Sequence, residues 1–268
     1  MANVPGDPWA QPWSGCREGG TISIDLCRSV MTDGSILADK KRAAGALAAL
    51  DLDDGMVVGL GSGSTAAFAI EAIGARIKEG LRVLGIPTSE TAAALARLNG
   101  VPLTDFSRHR RIDVTIDGAD EVERGSLNLI KGLGGALLRE KIVAAASARM
   151  IVVVDDSKLV DCLGTHAPLP VEIVTFGWQT VVDRLAAARL SPKLRYVGNA
   201  AAPFLTDNGN YIVDCAIDQL AKADKLEQEL AALIGVVESG LFIGLAQKII
   251  VGDSNGTTVL VRGENARP

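Results

Sequence analysis

Asp117-Gly118-Ala119-Asp120-Glu121 follows directly on an alternating apolar stretch, Ile112 to Ile116, and Lys131-Gly132-Leu133-Gly134-Gly135 comes shortly after, ahead of a helical stretch with Glu140 near its first turn. Acids, a lysine and a flexible glycine run placed in this way would converge on one crevice. Such a set can move a proton between two neighbouring carbons. One carboxylate takes it from the carbon beside a carbonyl and returns it next door, while a cation stabilises the enediolate oxygen formed in between. A substrate that rests as a closed sugar ring needs a further proton relay, from anomeric hydroxyl to ring oxygen, which a second pair of acids can supply. Each residue also has a plainer role: Asp117 and Asp120 as loop caps, Glu140 as an ordinary first-turn acid, Lys131 as a solvated surface charge. Only their occurrence together in one stretch points to chemistry.

A second set lies upstream. The apolar stretch Met56 to Leu60 runs into Gly61-Ser62-Gly63-Ser64-Thr65, after which Phe68, Ile70, Ile73 and Ile77 keep helical spacing. Glycines let the backbone approach an anion closely, a helix N-terminus offers unpaired N–H groups, and the hydroxyls of Ser62, Ser64 and Thr65 add donors. The loop fits neither common nucleotide pattern. G-x-G-x-x-G begun at Gly59 would need glycine where Ser64 stands, and the loop has no Gly-Lys pair followed by Ser or Thr. A monophosphate suits it better than a dinucleotide, although a capped helix start after a tight turn would use the same residues.

Composition narrows the partner further. The chain has 268 residues, 48% of them hydrophobic, and a net charge of −5. It can bury a sizeable core and has no general attraction for nucleic acid or an anionic membrane, so a small-molecule ligand is expected. Cys16, Cys27, Cys162 and Cys215 form no C-x-x-C pair, and His109 and His166 no cluster. Neither a metal site nor a disulfide framework is expected, and a reducing cytoplasm fits. No apolar run approaches the roughly 20 residues that span a bilayer, and no secretory signal is expected. Asn255-Gly256-Thr257 matches a glycosylation sequon but reads first as a turn.

The elements that must position these residues alternate. Apolar strands are expected at Met56 to Leu60, Val83 to Ile86, Ile112 to Ile116 and Met150 to Val154, with helices between them and a further helix from Ile36 to Leu50. That order predicts an α/β fold, an open parallel sheet flanked by helices, and glycine-rich loop between Asp117 and the helix from Ala136. A breaker cluster at His166 to Pro170 opens a second unit. It comprises a strand near Val171 to Thr175, a helix from Trp178 to Leu190, and a hairpin-like pair at Leu194 to Val197 and Tyr211 to Ile217 across Thr206 to Asn210. A helix to about Ile234 and a strand near Val236 complete a smaller ferredoxin-like α+β domain. The expected organisation is an N-terminal extension without order at residues 1–30, with prolines at 5, 8 and 12, a catalytic α/β domain at 31–166 plus 240–268, and the smaller domain at 167–239.

The motifs taken in order resemble those of type A ribose-5-phosphate isomerases: Gly59 to Ala66, Ile116 to Glu121, Leu129 to Gly132, Leu138 to Lys141, Asp156 to Lys158, Pro168 to Glu172 and Thr206 to Asn210. The resemblance runs from about Asp39 to Val261. It implies interconversion of D-ribose 5-phosphate and D-ribulose 5-phosphate in the non-oxidative pentose phosphate pathway, with no metal or organic cofactor, by a cytoplasmic homodimer or homotetramer. It implies that Glu140 is the proton acceptor, that Asp117 and Asp120 serve substrate binding and ring opening, and that Lys131 lies near the reacting carbons. Ser62, Gly63, Ser64 and Thr65, Gly118 and Ala119, Gly132, Leu133 and Gly134, and Lys158 would contact substrate. Leu133 interrupts a run that is often three glycines, Ala92 stands where the family often has a hydroxyl, and Ile234 where proline is common. A sugar-phosphate sensor that turns nothing over would keep the phosphate loop without needing Glu140 and Lys131. No DNA-binding helical module precedes Met31, and the acidic charge speaks against DNA.

Overall fold

Helix α1 (Asp33–Ala49) leads into strand β1 (Val57–Leu60), helix α2 (Ser64–Lys78), strand β2 (Leu84–Pro87), helix α3 (Glu90–Leu98) and strand β3 (Val114–Asp117). The short strands β4 (Glu121–Glu123) and β5 (Leu129–Ile130), helix α4 (Leu137–Ala145), strand β6 (Met150–Asp155) and a 3-10 turn (Asp156–Lys158) follow, then strand β7 (Leu159–Val160). The chain continues through β8 (Leu169–Ile173), α5 (Trp178–Ala187), β9 (Pro192–Leu194), β10 (Tyr211–Cys215), α6 (Ala223–Ala231), β11 (Val236–Ser239) and β12 (Leu241–Phe242), and ends in β13 (Lys248–Asp253) and β14 (Gly256–Val261). This computed structural model describes residues 33–198 and 202–263. The expected N-terminal extension, residues 1–30 with Cys16 and Cys27, lies outside the described residues.

Strands β1, β3 and β6 are buried along their whole length. Burial of every residue, with no exposed alternate face, marks strands covered on both faces. They sit at the centre of a six-stranded sheet ordered β14-β13-β6-β3-β1-β2, parallel throughout except for β14. Ala44 and Ala48 of α1 and Ile70 and Ile73 of α2 pack on Val58, Val114 and Ile151, while Ala144 of α4 joins the cluster of Val152, Val154 and Ile249. In such a sheet the carboxyl ends of the strands lead into helix N-termini, the usual ligand side. Here that edge carries Gly61, Asp117 and Asp155.

The second unit is antiparallel, in the order β11-β8-β10-β9, with Val181 and Leu185 of α5 and Leu230 of α6 packed on Val171, Ile173 and Val213. Order and connectivity are those of the expected ferredoxin-like domain. Cys215 is buried within it, and burial, then the Asp214 charge, pushes its thiol up to about 12, which leaves it inert. One strand lies earlier than expected, β9 ending at Leu194. Positive φ at Arg189 and Ser191 turns the chain early, and Tyr196, half exposed, pairs in an isolated bridge with Pro203 instead of extending the strand.

The stretch after Asp117, expected as loop, is partly sheet. Strands of two or three residues, β4, β5, β7 and β12, form a third sheet ordered β12-β5-β4-β7. Asp120 immediately precedes β4, Lys131 follows β5, and Lys158 precedes β7.

Candidate active site

Beyond β1 the Gly61 N–H bonds the Ile116 carbonyl at 2.9 Å, which draws the serine loop against the end of β3. Asp117 closes that strand, its Oδ1 accepting the N–H of Ser62 at 3.0 Å and of Gly118 at 2.7 Å. A Cβ on Gly61 would lie 2.2 Å from Asp117 Oδ1 and 2.5 Å from its Cα, so no larger residue fits. Gly61→Ala is therefore expected to cost about 1–3 kcal/mol through overpacking, read as a lower urea midpoint. An unchanged midpoint would mean that the loop does not rest on Asp117.

Gly63, at φ 91°, turns the chain into α2, and no side chain caps that helix. Its first-turn N–H groups are thus left for an anion. Lys41 of α1 donates to Ser64 Oγ at 2.9 Å, and the Ser62 hydroxyl is fixed against Thr88 and Ser89, both at 2.7 Å.

Lys131 is the centre of the other end. Its Nζ donates to the Gly118 carbonyl at 2.7 Å and lies 3.0 Å from Asp117 Oδ2 and 3.2 Å from Glu140 Oε2. Both carboxylate oxygens stand at ion-pair distance but out of line for a hydrogen bond. The ammonium also lies 5.5 Å from the centre of the buried Phe242 ring. The three side chains are shut away from bulk water, with exposures of 2% for Lys131, 0% for Asp117 and 4% for Glu140. Burial works against the Lys131 charge, but the carboxylates of Asp117, Glu140 and Asp120 outweigh it and hold the ammonium above its usual range. Glu140 moves the other way from an ordinary acid. Burial first, opposed by Lys131 and reinforced by the charges of Asp117 and Asp120, pushes its carboxyl up to about 8. Burial likewise raises Asp117, against the pull of Lys131.

These ends share one open cleft whose accessible volume is about 110 Å³. Ser62 to Thr65, Gly118, Ala119, Asp120, Lys131, Gly132, Gly134, Glu140 and Lys158 all line it. Two of the residues expected from sequence do not. Asp117 lies beneath the floor, meeting the cleft through Lys131, and Leu133 turns its side chain out to 43% exposure while its N–H donates to Asp120 Oδ2 at 2.9 Å. Lys41 lines the cleft and was not singled out from the sequence. Its only local signal is the basic run Lys40-Lys41-Arg42, and nothing there shows that α1 packs beside the serine loop. Among the described residues no group of His, Cys, Asp and Glu is arranged to hold a metal ion, and no helix is long and apolar enough to cross a membrane.

Comparison with known proteins bears on what such a cleft serves. The family model described as ribose 5-phosphate isomerase A (phosphoriboisomerase A) matches residues 84–256. Ribose-5-phosphate isomerase A of Gluconobacter oxydans is 52% identical over 216 residues, which cover 81% of this chain and 94% of that protein. The chain belongs to the ribose 5-phosphate isomerase A family. Solved structures agree in fold. Ribose 5-phosphate isomerase A from Methanocaldococcus jannaschii superposes with a TM-score of 0.80 at 40% identity, over 84% of this chain and 99% of that one. A D-ribose-5-phosphate isomerase in complex with phospho-erythronic acid gives 0.82 at 38% identity, with the same coverage. In this member of the ribose 5-phosphate isomerase A family, the matched region includes β3, α4 and the third sheet, and hence Asp117, Asp120, Lys131, Glu140 and Lys158.

Proposed function

We propose that this chain interconverts D-ribose 5-phosphate and D-ribulose 5-phosphate through an enediolate, with Glu140 as the base. The observation that carries the proposal is the pairing of a buried ammonium, Lys131, with a carboxyl pushed up to about 8, Glu140, on the wall of one cleft. A base so tuned is strong enough to take a carbon-bound proton and is still partly ionised near neutral pH.

The substrate phosphate rests on the N-terminus of α2 with Ser62, Ser64 and Thr65, and Lys41 and Lys158 add positive charge. Asp120, which lines the cleft, relays the anomeric hydroxyl proton to the ring oxygen and opens the sugar. Glu140 then removes the proton from C2, the C2 electrons form the C1–C2 double bond, and the carbonyl electrons move onto the C1 oxygen. Lys131 stabilises that developing negative charge. Return of the proton from Glu140 to C1, with transfer of the C2 hydroxyl proton to the C1 oxygen, leaves the ketose. Asp117 holds Lys131 in place from beneath. In keeping with the family, we place the enzyme in the cytoplasm, in the non-oxidative pentose phosphate pathway, as a homodimer or homotetramer.

The test is turnover of ribose 5-phosphate by the purified chain in EDTA. Activity is expected to be unaffected by the chelator, because Lys131 supplies the positive charge that the enediolate needs. Activity lost in EDTA and restored by a divalent ion would contradict that role. Tight calorimetric binding of ribose 5-phosphate with no turnover would instead make the chain a phosphosugar sensor.

A further inference from the structure

Arg195 stands just past β9, in the smaller domain, and takes no part in the steps above. Its Nε donates to Asp214 Oδ2 at 2.8 Å and one terminal nitrogen donates to Asp214 Oδ1, a two-point grip that fixes the guanidinium plane. The other terminal nitrogen reaches out of the domain and donates to two successive carbonyls of the glycine run, Gly132 and Leu133, both at 3.0 Å.

The Gly132 carbonyl and the Leu133 N–H are opposite ends of one peptide group, and no cis peptide bond is present among the described residues. In a trans peptide the two ends point in opposite directions. Arg195 therefore holds one end of a rigid plane whose other end donates to Asp120 Oδ2 at 2.9 Å. The run itself has little stiffness of its own, since Gly132 and Gly135 both take positive φ. Phe204 braces it from the same side. It lies where a Cβ on Gly135 would come within 2.5 Å of its ring, and its ring centre is 5.9 Å from the Arg195 guanidinium.

We propose that Arg195 is a positioning residue for the isomerisation, acting from the smaller domain through the Gly132–Leu133 peptide to hold Asp120 against the sugar. The proposal rests on the isomerase function given above. It also gives the smaller domain a part in the reaction, because Asp214 and β10 anchor the arginine that reaches the cleft wall.

The experiment is a double-mutant cycle in the full chain: wild type, Arg195→Met, Asp120→Asn and the double variant, each with kcat and KM for ribose 5-phosphate and a melting midpoint. Arg195→Met is expected to lower kcat at least about tenfold with KM changed by less than about threefold, the pattern of a lost transition-state interaction. The double variant is expected to be no more than about twofold slower than Asp120→Asn alone, since groups acting through one another are non-additive. Where Arg195→Met fails to fold, Arg195→Lys keeps the charge beside Asp214 without the fork, and the same cycle is read on it. Losses that multiply, or a kcat within about twofold of wild type for the arginine variant, overturn the proposal. A wild-type chain with no turnover overturns the isomerase function and this inference together, whereas an active wild type with multiplying losses overturns this inference alone.

Discussion

Glu140→Gln is expected to lower kcat at least about a hundredfold while leaving KM within a few-fold of wild type, because the amide keeps the shape of the side chain and removes its basicity. The pH profile of the wild type gives the same group a second signature. Glu140 works as the carboxylate, and its carboxyl is pushed up to about 8 by burial, so kcat/KM should rise with pH and level off above about 8. On the acid side of that value the base is protonated and the rate falls about tenfold per pH unit. A Gln variant that keeps more than about a tenth of wild-type kcat would remove Glu140 from the role of base.

Loss of Lys131 should cost both activity and stability. Lys131→Met fills much of the same volume but leaves Asp117 and Glu140 buried without their cation. Breaking a buried ion pair from one side costs about 3–5 kcal/mol, and removing a preorganised charge from a developing oxyanion costs about 10²–10³ in kcat. The stability deficit has a direction in pH. Burial already raises both carboxyls, and a raised acid contributes stability that is complete below its unfolded pKa and is lost as pH rises through its folded one. Without the lysine Glu140 rises further still, so its part of the deficit should stay level below about pH 8, where the folded carboxyl is protonated in both proteins, and grow only above that value. Urea midpoints at about pH 7 and about pH 9.5 check this. Equal deficits at the two pH values would mean that the lysine acts by packing alone.

What the sequence made legible follows the physics of each element. Strands β1 and β6 read as apolar runs because helices cover both faces of the sheet there, and a helix was expected between the second and third strands, where Glu90–Leu98 begins after Ser89, whose side chain accepts the Ala92 N–H at 3.0 Å. Asp117, Asp120, Lys131 and Glu140 stood out because acids and a lysine followed an apolar strand at the edge where a parallel sheet presents its ligand. The third sheet was not legible. Its strands are two or three residues long, too short for any period, and Lys131 is tied into it by its N–H bond to the Gly240 carbonyl at 2.9 Å, a partner distant in sequence. The division between Asp117 and Asp120 was equally hidden, since only packing puts one acid under the floor and the other on the wall. Lys41 and Arg195 reach the site from α1 and from the smaller domain, and no local pattern announces a side chain that acts across an interface.

The most direct measurement is the conversion of ribose 5-phosphate by the purified chain in deuterated water, carried to equilibrium and read by NMR. Glu140 takes its proton from C2 and returns one to C1, and repeated cycling lets that proton exchange with solvent. Ribulose 5-phosphate carrying deuterium at C1 is the predicted result. Ribulose 5-phosphate that stays unlabelled at C1 through equilibrium would show transfer without a base and contradict the enediolate route, and no conversion at all would contradict the function.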